Sequence, residues 1–96
     1  MIRHVVMWRF RDGEREAMLH FLEGLQGLQG VIPEILRSEV GVNINDKNSY
    51  DAVYAADFES MEALERYRKD PRHLAVSAQC KSIREARACV DYEVKA

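Results

Sequence analysis

The spacing of apolar residues along this 96-residue chain predicts an α+β fold with the element order β-α-β-β-α-β. Four segments alternate as strands do, two show a helical repeat, and a proline, Pro71, interrupts the second helical segment. This order is typical of the ferredoxin-like fold, in which a four-stranded antiparallel sheet carries both helices on one face. Because the sequence contains no linker or repeat, one domain over residues 1–96 is expected.

The first half of the chain predicts strand one, helix one and strand two. IRHVVMWRF is rich in β-branched and aromatic residues and alternates as a strand. A helical repeat then runs from Glu14 to about Gln29, where Gly24 and Gly27 are expected to allow close packing against the sheet. EILRSEVGVNI, after Pro33, returns to alternation as strand two. The apolar positions are Met18, Phe21, Leu22, Leu25 and Leu28 in the helix and Leu36, Val40, Val42 and Ile44 in the strand.

The second half predicts strand three, a divided helix and strand four. YDAVYAADF alternates as a strand, and Ser60 after it is a typical helix N-cap. Pro71 removes a backbone donor and restricts Asp70, so Asp70 is predicted to cap a new short helix that begins with the proline. ARACVDYEV alternates again as strand four. The apolar stripe of helix two is predicted to consist of Met61, Leu64 and Tyr67.

The two predicted central strands are apolar or small on both faces. Val5 and Met7 of strand one, and Val53 and Ala55 of strand three, lie opposite the residues expected to face the helices. A sheet with one face in water would alternate more cleanly. We therefore expect a homodimer in which the open sheet face of one chain covers that of another, a partner that a thin 96-residue core also favours.

Composition excludes several classes of function. The net charge of −2 and a pI of about 5.9 argue against a nucleic-acid-binding protein. Cys80 and Cys89 have no metal-type spacing to any histidine, so no metal site is predicted. The apolar N-terminal run is too short for a signal peptide or a membrane span, which predicts a cytoplasmic protein with two reduced thiols. The run REAR, from Arg84 to Arg87, is expected to be a solvated face.

Two histidines and two tyrosines are the candidate functional residues. His73 falls in the first turn of the short helix, where the helix N-terminus favours the neutral imidazole that a general base needs. The alternative is a histidine that only locks the joint at Pro71. His4 shares a strand face with apolar residues, so it must be hydrogen-bonded or line a cavity, and Tyr67 and Tyr54 each carry a hydroxyl that needs a partner if buried.

Several stretches together resemble the stress-responsive α/β-barrel domain (Dabb) family over nearly the whole chain. They are HVVMWRF, GLQGVIP, YDAVYAADFESMEALERYRKDPRH and VDYEV. The most specific part is the set of Tyr67, Pro71 and His73, whereas family members commonly carry a histidine where Asp70 stands. The resemblance implies a ferredoxin-like monomer, a dimer whose two sheets form an α/β barrel, and a small-molecule pocket that needs no cofactor.

The resemblance leaves the activity open. Most members of the family have no established activity, and one plant member is a polyketide cyclase. Its catalytic tyrosine and histidine match Tyr67 and His73, and its pocket histidine matches His4. At the position of one of its pocket tyrosines, however, this chain has Leu25. His4, Val6, Trp8 and Tyr54 are then expected to line a pocket for a small apolar or aromatic ligand. The alternatives are a non-enzymatic dimer, a cofactor-independent cyclase or isomerase with His73 as base and Tyr67 as its partner, and a cofactor-free monooxygenase of the dimeric-barrel type.

Overall fold

Four strands and three helices follow one another in the predicted order in the computed structural model, which describes residues 1–95. No helix within these residues is long and apolar enough to cross a membrane. The predicted strands, helices and helix break are all present, and the differences lie in their ends. The elements are β1 (Ile2–Phe10), α1 (Arg15–Gln26), β2 (Arg37–Val42), β3 (Ala52–Phe58), α2 (Met61–Lys69), α3 (Pro71–Lys81) and β4 (Arg84–Glu93).

The strands form one antiparallel sheet in the order β2-β3-β1-β4, which confirms β1 and β3 as the central pair. In the register, Val6 lies between Tyr54 and Cys89, and His4 lies between Ala56 and Asp91. Because side chains at directly paired positions share a face, the register gathers polar groups from β1 and β4 on the side that the helices cover.

The core lies between this face of the sheet and the helices. Trp8 packs edge to face on Phe21 of α1 with ring centroids 5.1 Å apart, and Leu64 of α2 is fully buried. Burying each such side chain contributes about 1.5–3 kcal/mol to folding. All five residues of the predicted α1 stripe are buried, namely Met18, Phe21, Leu22, Leu25 and Leu28.

Some predicted apolar contacts are wrong. Strand two was expected over residues 34–44, but Leu36 is 53% exposed and Ile44 is fully exposed. The strand ends early because the side chain of Asn43 accepts hydrogen bonds from the backbone N–H of Asn45 and from Asn48, which favours a local turn over the sheet. Met61, at the first position of α2, is also exposed, so the buried stripe of that helix begins only at the third position.

The helix break forms as predicted. Ser60 caps α2 by accepting the N–H of Ala63 at 3.1 Å. Asp70 then leaves the helical conformation, with φ −64° and ψ 129°, and its carboxylate accepts the N–H of Arg72 at 2.8 Å. Pro71 begins α3. The chain therefore changes direction between Tyr67 and the first turn of α3.

Gly24 of α1 packs differently from the prediction. Gly24 does not face the sheet as expected, because a β-carbon added there would lie 3.3 Å from Val76 of α3. The glycine therefore permits close packing of helix on helix.

On the opposite face of the sheet, Met7, Val90 and Tyr92 are 40%, 56% and 44% exposed, so this apolar face is uncovered in the single chain.

Candidate functional site

The first turn of α3 holds His73 in one defined orientation. Its Nδ1 lies 3.2 Å from the backbone carbonyl oxygen of Arg68, in the last turn of α2. A carbonyl can only accept, so Nδ1 carries the proton and donates it. In the neutral ring the other nitrogen, Nε2, is then unprotonated and can act as a proton acceptor.

Tyr67 and His73 lie side by side although six residues separate them. Their ring centroids are 4.3 Å apart and the ring planes are inclined by 41°. On a continuous helix, six steps of 100° would place the two side chains about 120° apart around the axis. The break at Asp70 and Pro71 is therefore what brings the two rings together.

His4 approaches the same region from the sheet. Its ring lies 6.4 Å from the ring of Tyr67 and 6.4 Å from that of Tyr54, nearly edge to face in both cases. Its Nδ1 contacts a carboxylate oxygen of Asp91 at 2.5 Å, and the thiol of Cys89 lies 3.6 Å from the same nitrogen. The buried imidazole is thus held by β4, the neighbouring edge strand.

These side chains border one small cavity between the sheet and the helices, with a volume of about 80 Å³. That volume holds a few water molecules or the reactive end of an organic molecule, and it is smaller than the usual pocket for a drug-sized ligand. All six residues expected from the sequence line it, namely His4, Val6, Trp8, Tyr54, Tyr67 and His73. Leu25, which the resemblance had matched to a pocket tyrosine, also lines it. The residues that sequence reasoning missed are Phe21, Arg68, Ser77, Cys80, Arg84 and Arg87.

Burial keeps the titratable rings of the cavity neutral near pH 7. It lowers the pKa of His73, and the charge of Arg68 acts in the same direction against the hydrogen bond to the Arg68 carbonyl. Burial, rather than the helix N-terminus, is thus the main cause of the expected neutral imidazole. Burial also lowers the pKa of His4 despite its contact with Asp91, and it raises the pKa of both Tyr67 and Tyr54.

Three arginines make the rim of the cavity cationic. Arg68 donates to Asp91 at 3.1 Å and also lies 3.6 Å from Glu65. Arg84 and Arg87 have no carboxylate within ion-pair distance in residues 1–95. The expected solvated face holds for Arg87, which is exposed, but Arg84 is half-buried and both arginines also line the cavity. Two uncompensated guanidinium groups favour an anionic or strongly polar ligand group.

A wider hollow of about 460 Å³ lies on the other face of the sheet, beside Met7, Gly41 and Val53. The described residues that line it include no histidine, cysteine or carboxylate. It therefore offers apolar surface rather than groups for acid–base chemistry, and it belongs to the uncovered face of the sheet.

The order of the elements and the cavity define a ferredoxin-like α+β protein with a histidine–tyrosine pair between helices and sheet. Residues 2–94 match the protein family described as the Stress responsive A/B Barrel Domain. The chain belongs to this family, which confirms the resemblance drawn from its sequence motifs. No curated protein sequence was found to match the chain.

Several solved structures share the fold. A dimeric protein of unknown function from Bacteroides fragilis is 28% identical, with a TM-score of 0.91 over 97% of this chain and 95% of that chain. A protein from Arabidopsis thaliana is 22% identical, with a TM-score of 0.87 over 100% and 97% of the two chains. A hydroxynitrile lyase from Passiflora edulis is 16% identical, with a TM-score of 0.86 over 98% and 93%. The last two likenesses concern the fold alone.

Proposed function

We propose that this protein binds a small carbonyl compound in the cavity between helices and sheet and moves a proton on it without a cofactor, as a cyclase or isomerase does. The observation that supports this proposal is that His73, Tyr67 and His4 border one cavity. A neutral imidazole beside a neutral phenol is a suitable pair for forming and stabilising an enolate.

Each ring has a distinct role in the proposal. His73 removes the proton from the carbon next to the carbonyl through Nε2, because its Nδ1 proton is engaged with the Arg68 carbonyl. Tyr67 donates its hydroxyl hydrogen bond to the developing enolate oxygen, and its raised pKa keeps that proton in place. His4 and Tyr54 orient the polar end of the substrate, while Val6 and Trp8 contact its apolar part.

The size and charge of the cavity restrict the substrate. A volume of about 80 Å³ admits a small carbonyl compound, or only the reactive end of a longer one. Arg84 and Arg87 at the rim favour a substrate with a carboxylate or a similar anionic group. Asp70, which replaces the histidine common in the family, is not among the cavity residues, so this departure leaves the proposed acid–base set intact.

Exchange of carbon-bound hydrogen for deuterium tests the proposal without knowledge of the natural substrate. The chelator-treated protein is incubated in D₂O with a panel of small ketones, β-diketones and β-keto acids, and loss of the α-proton signal is followed by NMR. We expect faster exchange for some panel members with the native protein and a rate at least ~100-fold lower with His73→Ala. Tyr67→Phe should reduce the rate less.

The control for this assay is His20→Ala, which removes an exposed histidine on α1 and should leave the exchange rate unchanged. A folded His73→Ala variant that exchanges protons as fast as the native protein would refute the role of the base. If no panel member exchanges faster, but panel members still bind in the cavity, the alternative of a non-enzymatic ligand-binding protein is the correct one.

We further propose that the protein is a homodimer through the uncovered face of its sheet, and that it acts in the cytoplasm. Met7, Val90 and Tyr92 make that face apolar and exposed in the single chain. The structure from Bacteroides fragilis is described as dimeric, and it is 28% identical to this chain. Both cysteines of this chain are free, which suits a reducing compartment.

A further inference from the structure

Three side chains of different metal-binding types meet at the edge of the sheet. They are His4 of β1 and Cys89 and Asp91 of β4. The Nδ1 of His4 lies 2.5 Å from Oδ1 of Asp91, and the Sγ of Cys89 lies 3.6 Å from the same Nδ1 and 3.9 Å from the same oxygen. Thus one thiol, one imidazole nitrogen and one carboxylate oxygen converge on a single point.

The register of the strands explains why they meet. His4 pairs with Asp91 across the β1–β4 ladder, and Cys89 pairs with Val6, two positions further along. Residues two apart on a strand share a face, so all three side chains project toward the helix side of the sheet. Chain spacing could not reveal this group, because 85 residues separate His4 from Cys89.

One of the three separations already matches a tetrahedral ion. With Zn–S of about 2.3 Å and Zn–N of about 2.05 Å at tetrahedral angles, the sulfur and nitrogen should lie about 3.5 Å apart. Their separation in the structure is 3.6 Å. The nitrogen and the carboxylate oxygen should lie about 3.3 Å apart. Asp91 must therefore withdraw by about 0.8 Å from His4, which is the movement needed when an ion replaces the proton that the two groups share.

The surroundings allow an ion to enter and be held. Cys89 is exposed, while His4 is buried, so an ion can reach the group from the side of the thiol. Arg68 donates to Oδ2 of Asp91 at 3.1 Å and leaves Oδ1 available as a ligand. An outer hydrogen bond of this kind commonly orients a metal-ligating carboxylate. The thiolate of Cys89 and the carboxylate of Asp91 would neutralise the two charges of the ion.

We propose that His4, Cys89 and Asp91 form a binding site for one Zn²⁺ ion per chain, with the fourth position open to solvent. A thiolate combined with an imidazole is a donor set typical of zinc, and three protein ligands with one open position are typical of zinc sites that bind a further molecule. The site goes beyond the proposed proton transfer, which needs no metal.

Metal titration of the full-length protein tests this site directly. Zn²⁺ is titrated in competition with a chromophoric chelator, and Co²⁺ serves as a spectroscopic substitute whose thiolate ligand gives a near-ultraviolet charge-transfer band. We expect one ion per chain and a cobalt–thiolate band. Cys89→Ser should abolish the band and weaken zinc binding on the order of 100-fold, and Asp91→Asn should weaken it to a similar extent.

The matched control is Cys80→Ala, which removes the other free thiol of the chain, a buried one, and should retain the band. Circular dichroism establishes that each variant is folded. Equal zinc affinity in the native protein and Cys89→Ser would overturn the proposal, as would loss of the band in Cys80→Ala or a stoichiometry of one ion per two chains. None of these measurements uses a substrate, so they are independent of the deuterium-exchange assay.

Discussion

Met7→Asp tests the proposed dimer at the centre of the uncovered sheet face. Met7 lies on β1 opposite Val53 and Ala88 of the two neighbouring strands, and it is 40% exposed in the single chain. An aspartate in its place can be hydrated in a monomer. In a dry interface its charged form would be strongly destabilised, and the carboxyl would protonate instead.

Because the carboxyl can protonate, the free energy that Met7→Asp costs the dimer has an upper limit. About three pKa units separate pH 7 from an ordinary aspartate, and each unit is worth about 1.4 kcal/mol, so the cost has a ceiling near 4 kcal/mol per carboxyl. A two-fold symmetric dimer contains the substitution twice, which doubles the ceiling to about 8 kcal/mol. Even half of that value raises the dimer dissociation constant about 1,000-fold.

Light scattering and sedimentation over a range of concentrations measure the effect. The native protein should be a dimer at micromolar concentration, and Met7→Asp should be a folded monomer that reassociates as the pH falls toward 4. Leu19→Asp is the matched control, because Leu19 is 42% exposed on α1, away from the open face. An unchanged dimer in Met7→Asp, or equal dissociation in Leu19→Asp, would place the interface elsewhere.

Three further predictions concern the helices and the proposed base. Asp70→Ala should lower the melting temperature more than Asp70→Asn, since asparagine still caps α3. The hydrogen bonds from the side chain and the backbone N–H of Arg72 lower the pKa of Asp70 to about 2. The stability that the Asp70 carboxylate contributes is therefore present above pH 4 and lost as the pH falls through 2. In urea unfolding, Gly24→Ala should leave the stability of the native protein nearly unchanged but should stabilise a Val76→Ala variant by about 1 kcal/mol. Equal effects in the two backgrounds would contradict the contact between Gly24 and Val76. The rate of any exchange activity should begin to fall only below pH 6.5, because the lowered pKa of His73 keeps its imidazole neutral down to that pH. A rate that already falls above pH 6.5 would argue against His73 as the base.

The parts of the fold set by local chemistry were predictable from the sequence. Strand β1 has the predicted bounds, and the caps at Ser60 and Asp70 follow from their own side chains and the neighbouring proline. Groups that depend on pairing between distant strands were not predictable in this way. The contacts of His4 with Asp91 and Cys89 require the β1–β4 register, which no local pattern in either strand specifies.

The approach of both arginines to the cavity was not predictable for a similar reason. In a regular strand, Arg84 and Arg87 are three positions apart and would face opposite sides of the sheet. The β1–β4 ladder shifts by one residue at this point: Arg9 pairs with Ala86, but Phe10 pairs with Arg84, so Glu85 is the extra residue of a bulge. The bulge lets both arginines border the cavity, and alternation alone could not have predicted this arrangement.

Two local irregularities add polar side chains to a cavity that regular strands and α1 otherwise line. The break at Pro71 turns His73 toward Tyr67, and the bulge at Glu85 turns a second arginine toward the same space. Both serve to aim polar side chains at one point. Convergence of two independent irregularities on one cavity favours a binding or catalytic site over a histidine that only locks the helix joint.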